Sequence, residues 1–300
     1  MQNSCPVTRM NAEMALHTAA RRYCQERFSE WINLYEDLQR KEKWQVQKLF
    51  EPGWEYSDEA WRIFPRYRFA KNTLVEIERL RVDSSTSLTE VRDSLIAAAG
   101  QAEITLRNEL ANNLAQKAIR EEAEDFKVYV QNLTTRDLSH VGPLPYRRVL
   151  TNEESEQIWA QVRATWAIES HYWFPLTEAV VPNSILAFHI DYFQRIDGHN
   201  LIREALQEHG VSAIFLLHEF GDPNYEIELR IFEPSYRDGG EQYSTSRQMD
   251  WIVYASHESS ITVGGAWLIH ALRSLHPECM KHTYRGPYST PDLRGSWEPS

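Results

Sequence analysis

The chain has 300 residues, a net charge of −11 at neutral pH and 42% hydrophobic residues. This composition is typical of a globular protein and argues against a disordered chain. No apolar run approaches the ~20 residues that span a bilayer. The 3 cysteines are widely spaced, which does not suit a disulfide scaffold. We therefore expect a cytoplasmic protein with reduced thiols.

The first part of the chain, residues 1–140, has the apolar spacing of helices. A stripe of bulky residues at three- and four-residue steps predicts a helix from Asn11 to about Leu49, ended by Pro52 and Gly53. Ser57 then has the position of an N-cap for a short helix, which we expect Pro65 to interrupt, and the spacing after Pro65 predicts a further helix.

The next helical pattern starts at a capping box, in which Ser87 and Glu90 satisfy each other's free backbone N–H groups. The apolar rhythm continues through residues 88–132, which form either one long helix or two, with Gly100 as a weak point. Near its end, Phe126, Val128 and Val130 alternate, so a strand and a helix end are both compatible with the pattern.

The composition changes between Thr134 and Pro145, where polar turn residues, glycine and proline predict a domain boundary. A second capping box at Thr151 and Glu154 predicts a helix. The segments that follow have the short, β-branched character of strands: Ser184–Asp191, Val211–Phe220, Tyr225–Glu233, Asp250–His257 and Ile261–Val263. Helical patterns lie at Asn200–His209 and Gly265–Leu275.

The predicted fold class is therefore α+β, with a helical N-terminal region followed by a mainly antiparallel sheet with flanking helices. We assign residues 1–140 to the helical region and 141–282 to an acidic α+β domain. We expect residues 283–300 to form an extended or mobile tail.

Nearly all of the acidity lies in the second part of the chain. Residues 1–140 carry 20 Lys and Arg against 22 Asp and Glu, whereas residues 141–300 carry 12 against 21. Such a surface repels nucleic acids and anionic membranes and attracts basic proteins. The charge predicts a protein partner with a basic surface. The helical region is a candidate surface for homo-oligomerisation.

Histidines and carboxylates accompany the predicted strands. His189 and Asp191 share one face because side chains alternate along a strand. Glu228 lies on another strand, and two His–Glu pairs, at residues 218–219 and 257–258, close two further strands. If these strands are neighbours, a divalent metal would find its ligands in His189, Asp191 and His218. Catalytic roles would then fall to His189, Asp191, Glu228, His257 and Glu258.

The alternative interpretation is a solvated sheet face with hydrogen-bonded histidines, since no HExxH motif or CxxC pair is present. Aromatic and basic residues then suggest a recognition surface, with Arg147, Arg148, Trp173 and Arg230 as its binding residues. The competing explanation for the tryptophans is that they seal a helix against the sheet.

The leading functional hypothesis is a non-catalytic protein-binding or regulatory protein, such as an immunity-like or defence-system component. The alternative is a metal-dependent hydrolase or nuclease built on the His/carboxylate cluster. The sequence names no cofactor beyond the divalent metal of that alternative.

Overall fold

The computed structural model describes residues 10–42, 56–83, 85–169, 173–176, 185–236 and 240–284. Its internal contacts divide the chain into two units, Met1–Leu144 and Pro145–Ser300. The predicted fold class is confirmed, because helices fill the first unit and a seven-stranded antiparallel sheet with flanking helices forms the second. Most of the predicted tail, residues 285–300, lies outside the described residues.

The first unit packs helices around an alanine-rich core. Its helices are α1 (Ala12–Lys41), α2 (Asp58–Arg79), α3 (Leu88–Glu109), α4 (Asn113–Asn132) and the short α5 (Thr135–Leu138). Leu16, Ile77, Leu95, Leu106 and Phe126 are each at most 1% exposed. Small residues between these bulky ones allow the helices to approach closely.

Three expectations for these helices need correction or sharpening. Pro65 lies inside α2 and does not end it, since the buried residues farther along α2 keep the helix packed on its neighbours. Residues 88–132 form two helices, and the break falls at Leu110–Asn112, not at Gly100. The Asn112 side chain accepts from the backbone N–H groups of Leu114 and Ala115 and so starts α4.

The alternation at the end of α4 is helical. Phe126 and Val130 are buried, while Val128 is 44% exposed. A strand would place all three on one face, whereas a helix places i and i+4 together and i+2 opposite.

The second unit is built on a sheet with the strand order β1-β4-β3-β5-β6-β7-β2, in which every neighbouring pair is antiparallel. The strands are β1 (Arg147–Val149), β2 (Ile185–His189), β3 (Ala213–His218), β4 (Tyr225–Glu228), β5 (Gln242–Thr245), β6 (Ile252–Ser256) and β7 (Ser260–Gly264). The helices are α6 (Asn152–Trp166), α7 (Ile190–Arg195), α8 (Gly198–Glu208) and α9 (Ala266–Leu275), with 3₁₀ turns at Leu229–Ile231 and Pro277–His282.

One face of this sheet carries an aromatic core. Tyr243 and Tyr254 are register partners whose rings stack 4.7 Å apart. Trp159 and Trp166 of α6 pack on this face, together with Trp173. The competing explanation for the tryptophans, that they pack a helix against the sheet, is therefore confirmed.

The strand predictions located five of the seven strands and missed two. The missed strands are β1, which has three residues, and β5, whose polar Gln–Tyr–Ser–Thr sequence lacks the apolar alternation of a half-buried strand. The segment predicted as Tyr225–Glu233 leaves the strand conformation after Glu228 and continues as a 3₁₀ turn.

No helix in the described part of the chain has both the length and the apolar character that a bilayer span requires.

Candidate functional site

The predicted His/carboxylate cluster does not assemble as drawn. His189 ends β2, which is one edge of the sheet, whereas Glu228 ends β4, which lies beside the opposite edge. Strands β3, β5, β6 and β7 separate them. The assumption that these strands are neighbours is therefore wrong for the strands of His189 and Glu228.

His189 and Asp191 are close together for a reason other than strand alternation. Asp191 lies in the first turn of α7, and its backbone N–H donates to Nδ1 of His189, which caps the helix, over 3.3 Å. The Asp191 carboxylate is 3.5 Å from the same nitrogen. Their proximity is thus a feature of helix capping.

The predicted metal set also fails. His218 lies on β3, away from β2, and its Nδ1 is 2.9 Å from the carbonyl oxygen of Pro223. Among the residues that the structure describes, no group of three or more His, Cys, Asp or Glu could hold a metal ion. The prediction of a metal held by His189, Asp191 and His218 is therefore not supported by this arrangement.

The predicted binding residues divide into buried and paired side chains. Trp173 is 1% exposed, so its assignment to a recognition surface is corrected to a core role. Arg148 pairs with Glu154 and Glu226 at 2.7 and 2.9 Å. The guanidinium of Arg147 lies 4.0 Å from the Tyr225 ring centroid.

Arg230 remains an exposed side chain. It lies in the 3₁₀ turn that follows β4, and its Nε is 2.7 Å from Oε1 of Glu228. The other oxygen of Glu228 accepts from the backbone N–H of Tyr146 over 3.0 Å. Glu228 therefore stabilises the edge of the sheet through its contacts with Tyr146 and Arg230. No described contact links it to the other predicted catalytic residues.

A different polar site lies where β6 turns into β7. Ser256 and Ser260 are register partners, so residues 257–259 form a three-residue hairpin loop. Ser259 has φ of 56°, the left-handed conformation that closes such loops. This turn presents His257 and Glu258 beside Glu241, which directly precedes β5.

We call this site the Glu241 cleft. Its lining residues are Trp173, Phe174, Pro175, Leu176, Glu241, Tyr254, Ser256, His257, Glu258, Ser260 and Thr262. Two of the predicted catalytic residues, His257 and Glu258, therefore lie in one site, although with partners that the sequence did not indicate.

Glu241 is the centre of the hydrogen bonds in the cleft. Its side chain is 7% exposed, and it accepts from the hydroxyl groups of Tyr254 and of Ser256, the latter over 3.2 Å. Nδ1 of His257 lies 2.6 Å from the Glu241 carboxylate, and the His257 side chain is 56% exposed. The partly exposed imidazole of His257 thus lies between the buried Glu241 carboxylate and the solvent.

A carboxylate beside Glu241 intensifies the negative charge. Glu219 follows β3, and the backbone N–H of Glu241 donates to its carboxylate over 3.3 Å. Burial, with a further contribution from the charge of Glu241, raises the pKa of Glu219 above its ordinary value. Burial likewise raises the pKa of the Tyr254 hydroxyl, which keeps it a hydrogen-bond donor.

Glu241 differs from Glu122 and Glu226 in how its charge is met. Glu122 pairs with Arg27 and Arg66, and Glu226 pairs with Arg148 and Arg247. No Lys or Arg among the described residues contacts Glu241. Within the described residues, the charge of Glu241 is therefore met by hydroxyl groups and one imidazole alone.

Two polar atoms in the cleft wall also have no hydrogen-bond partner in the described part of the chain. They are Nε1 of Trp173 and Oγ1 of Thr262. The Trp173 side chain is 1% exposed and Thr262 is fully buried. An unmet buried polar group costs about 1–3 kcal/mol, which makes these two atoms candidate contacts for a ligand in the cleft.

Sequence reasoning missed Glu241 because it missed β5. The usable signal was the alternation of Glu241, Tyr243 and Thr245 with Gln242 and Ser244, which places the first three on one face. Without the strand, nothing in the sequence links Glu241 to His257, 16 positions later.

The chain was compared with models of protein families, with curated proteins and with solved structures, and none of them matches it.

Proposed function

We propose that this chain is a non-catalytic protein-binding protein, and that its acidic C-terminal unit engages a partner with a basic surface. The observation that carries the proposal is the buried Glu241 carboxylate, which meets hydroxyl groups and an imidazole but no Lys or Arg of the described residues. A partner's cation would add a permanent positive charge beside this carboxylate.

The charge distribution supports the same proposal. Residues 141–300 have 12 Lys and Arg against 21 Asp and Glu, so the field of this unit steers basic proteins toward it. Exposed aromatic side chains also accompany the acidic groups, with Phe174 47% exposed at the cleft. Aromatic residues are favoured at interface centres. A role as an immunity-like or defence-system component is one form of this proposal, and a cytoplasmic location agrees with it.

The test uses the full chain and short fluorescent peptides that differ only in charge. We expect a Lys-rich peptide to bind, an Asp-rich peptide not to bind, and the affinity for the basic peptide to fall between 50 and 300 mM salt, as read by fluorescence anisotropy. Equal binding of the two peptides, or no binding of either, would overturn the proposal.

One observation favours a second candidate, an esterase-like hydrolase that needs no metal. The 2.6 Å contact between Glu241 and Nδ1 of His257 is the geometry by which a carboxylate orients an imidazole for proton transfer. Turnover of p-nitrophenyl acetate should then fall by about ten-fold or more in His257→Gln. Equal rates in the variant and the parent chain would eliminate this candidate.

A further inference from the structure

We infer that the Glu241 cleft binds a single primary ammonium group. It therefore binds a lysine side chain of the basic partner in preference to an arginine side chain. The inference rests on the proposed function and specifies its ligand.

The first step of the argument is charge. An ammonium ion beside Glu241 would neutralise a carboxylate that is 7% exposed and has no Lys or Arg contact among the described residues. The neighbouring Glu219 and Glu258 add negative charge at the same place. The one titratable group with a positive form in the described lining is His257, at the mouth of the cleft.

The second step is hydrogen bonding. An ammonium group has three donors and no acceptor. The cleft offers the Glu241 carboxylate, the unpartnered Oγ1 of Thr262 and the hydroxyl of Ser260, all on the same face of the sheet. This is an acceptor set for one ammonium group, and it would satisfy the buried Thr262 hydroxyl.

The third step is size. The cleft has room for about one water-sized group, since its volume is about 10 Å³. An ammonium group is close to water in size, whereas the planar guanidinium of arginine is several times larger and carries five donors. The enclosed space of the cleft therefore favours an ammonium group over a guanidinium.

The fourth step is the lysine stem. Phe174 and Pro175 lie at the cleft, and Phe174 is 47% exposed. The methylene groups of a lysine can lie along such an apolar edge while the charged head enters the cleft. The partly exposed aromatic ring of Phe174 also offers a favourable surface to a cation.

The experiment measures the anisotropy of three fluorescent peptides that are identical except for a central Lys, Arg or acetyl-lysine. The parent chain should bind the Lys peptide at least about five-fold more tightly than the other two. Glu241→Gln should remove this preference. Glu156→Gln, which removes an exposed charge from α6 of the same unit, should keep it.

A second variant separates binding from folding. Thr262→Val replaces a hydroxyl that has no described partner with a methyl group, so it should leave the thermal midpoint unchanged or raise it. The same variant should weaken the Lys peptide about five-fold. A loss of stability without a loss of affinity would assign Thr262 to the fold alone and overturn its place in the site.

The outcomes distinguish the two proposals. If basic peptides bind the parent chain but Lys and Arg bind equally, or Glu241→Gln binds like the parent, the lysine site is wrong, and the basic-partner proposal then rests on the charge of residues 141–300 alone. If no basic peptide binds, both are wrong.

Discussion

Glu122 shows how a single buried residue can organise a helical unit. Its carboxylate, 1% exposed, accepts from Arg27 of α1 at 2.6 and 2.8 Å and from Arg66 of α2 at 3.2 Å. The indole N–H of Trp31 donates to it as well, and both guanidiniums lie about 5 Å from the Trp31 ring. One side chain of α4 therefore connects three helices.

We predict that Glu122→Gln destabilises the first unit by about 3 kcal/mol. The amide keeps the shape of the side chain but removes the buried counter-charge of two partly buried guanidiniums, which then keep, among the described residues, only the exposed carboxylates of Glu30 and Glu121. Urea unfolding followed by helical circular dichroism measures the change. Arg40→Gln is the matched control, because the exposed Arg40–Asp37 pair should contribute less than about 0.5 kcal/mol. Similar losses in both variants would contradict this role for Glu122.

Glu226 gives a pH-dependent prediction in the second unit. Burial alone would raise its pKa, but hydrogen bonds from Arg148, Arg247 and Tyr146 lower the pKa below its ordinary value of 4.5. A lowered pKa in the folded state means that the stabilisation is complete above the ordinary pKa and is lost as pH falls through the lowered value.

The thermal midpoint of the parent chain should therefore decrease as pH falls below about 4.5, and Glu226→Gln should be less stable at pH 7 with a flatter dependence in the acid range. Differential scanning calorimetry between pH 3 and 7 makes the comparison. Parallel pH profiles of the two proteins would show that Glu226 is not responsible.

At the scale of elements, caps were the features most readily predicted from sequence. Both predicted capping boxes, at Ser87–Glu90 and Thr151–Glu154, form with both reciprocal hydrogen bonds. Their success has a local cause, because an N-cap depends on residues three positions apart and on little else.

The Thr151 cap gives a test at this scale. Thr151→Ala removes the side-chain acceptor of the Glu154 backbone N–H and should destabilise the second unit by about 1 kcal/mol. Thr151→Ser retains the hydroxyl and should restore most of this loss. The free energy of unfolding is measured by guanidinium titration of the three proteins. An alanine variant as stable as the parent would show that the Thr151–Glu154 capping box contributes nothing to stability.

Strands were predicted where apolar side chains alternate and missed where they do not. β5 lies in the middle of the sheet with all four residues buried, yet three of them are polar, so the strand lacks the apolar alternation on which the strand predictions depended. Strand order was beyond reach, since it depends on contacts distant in sequence. A correct prediction of the His/carboxylate cluster would have required the strand order. A prediction of the Glu241 cleft would have required it as well.

At the scale of the whole chain, the change in composition between Thr134 and Pro145 contains the division between the two units. The unequal acidity follows the same division, which is why charge predicted a class of partner although no motif predicted a reaction. Composition and charge are summed over many residues and tolerate local errors. The prediction of a cleft depends on the positions of a few side chains, so one local error is enough to make it wrong.

This division leads to the last prediction, that residues 1–144 fold without the rest of the chain. The core of α1–α4 is completed within this segment, since Leu16, Phe69, Leu95 and Phe126 pack in one cluster. The fragment should show a helical spectrum and one cooperative thermal transition.

A shorter fragment, 1–110, provides the control. It lacks α4, and with it Ile119, Ala123, Phe126 and the Glu122 carboxylate that joins α1 to α2. It should melt without cooperativity, because the apolar faces of α2 and α3 that pack on α4 would meet water. A cooperative transition in 1–110, or its absence in 1–144, would show that the stability of the helical unit has a different origin.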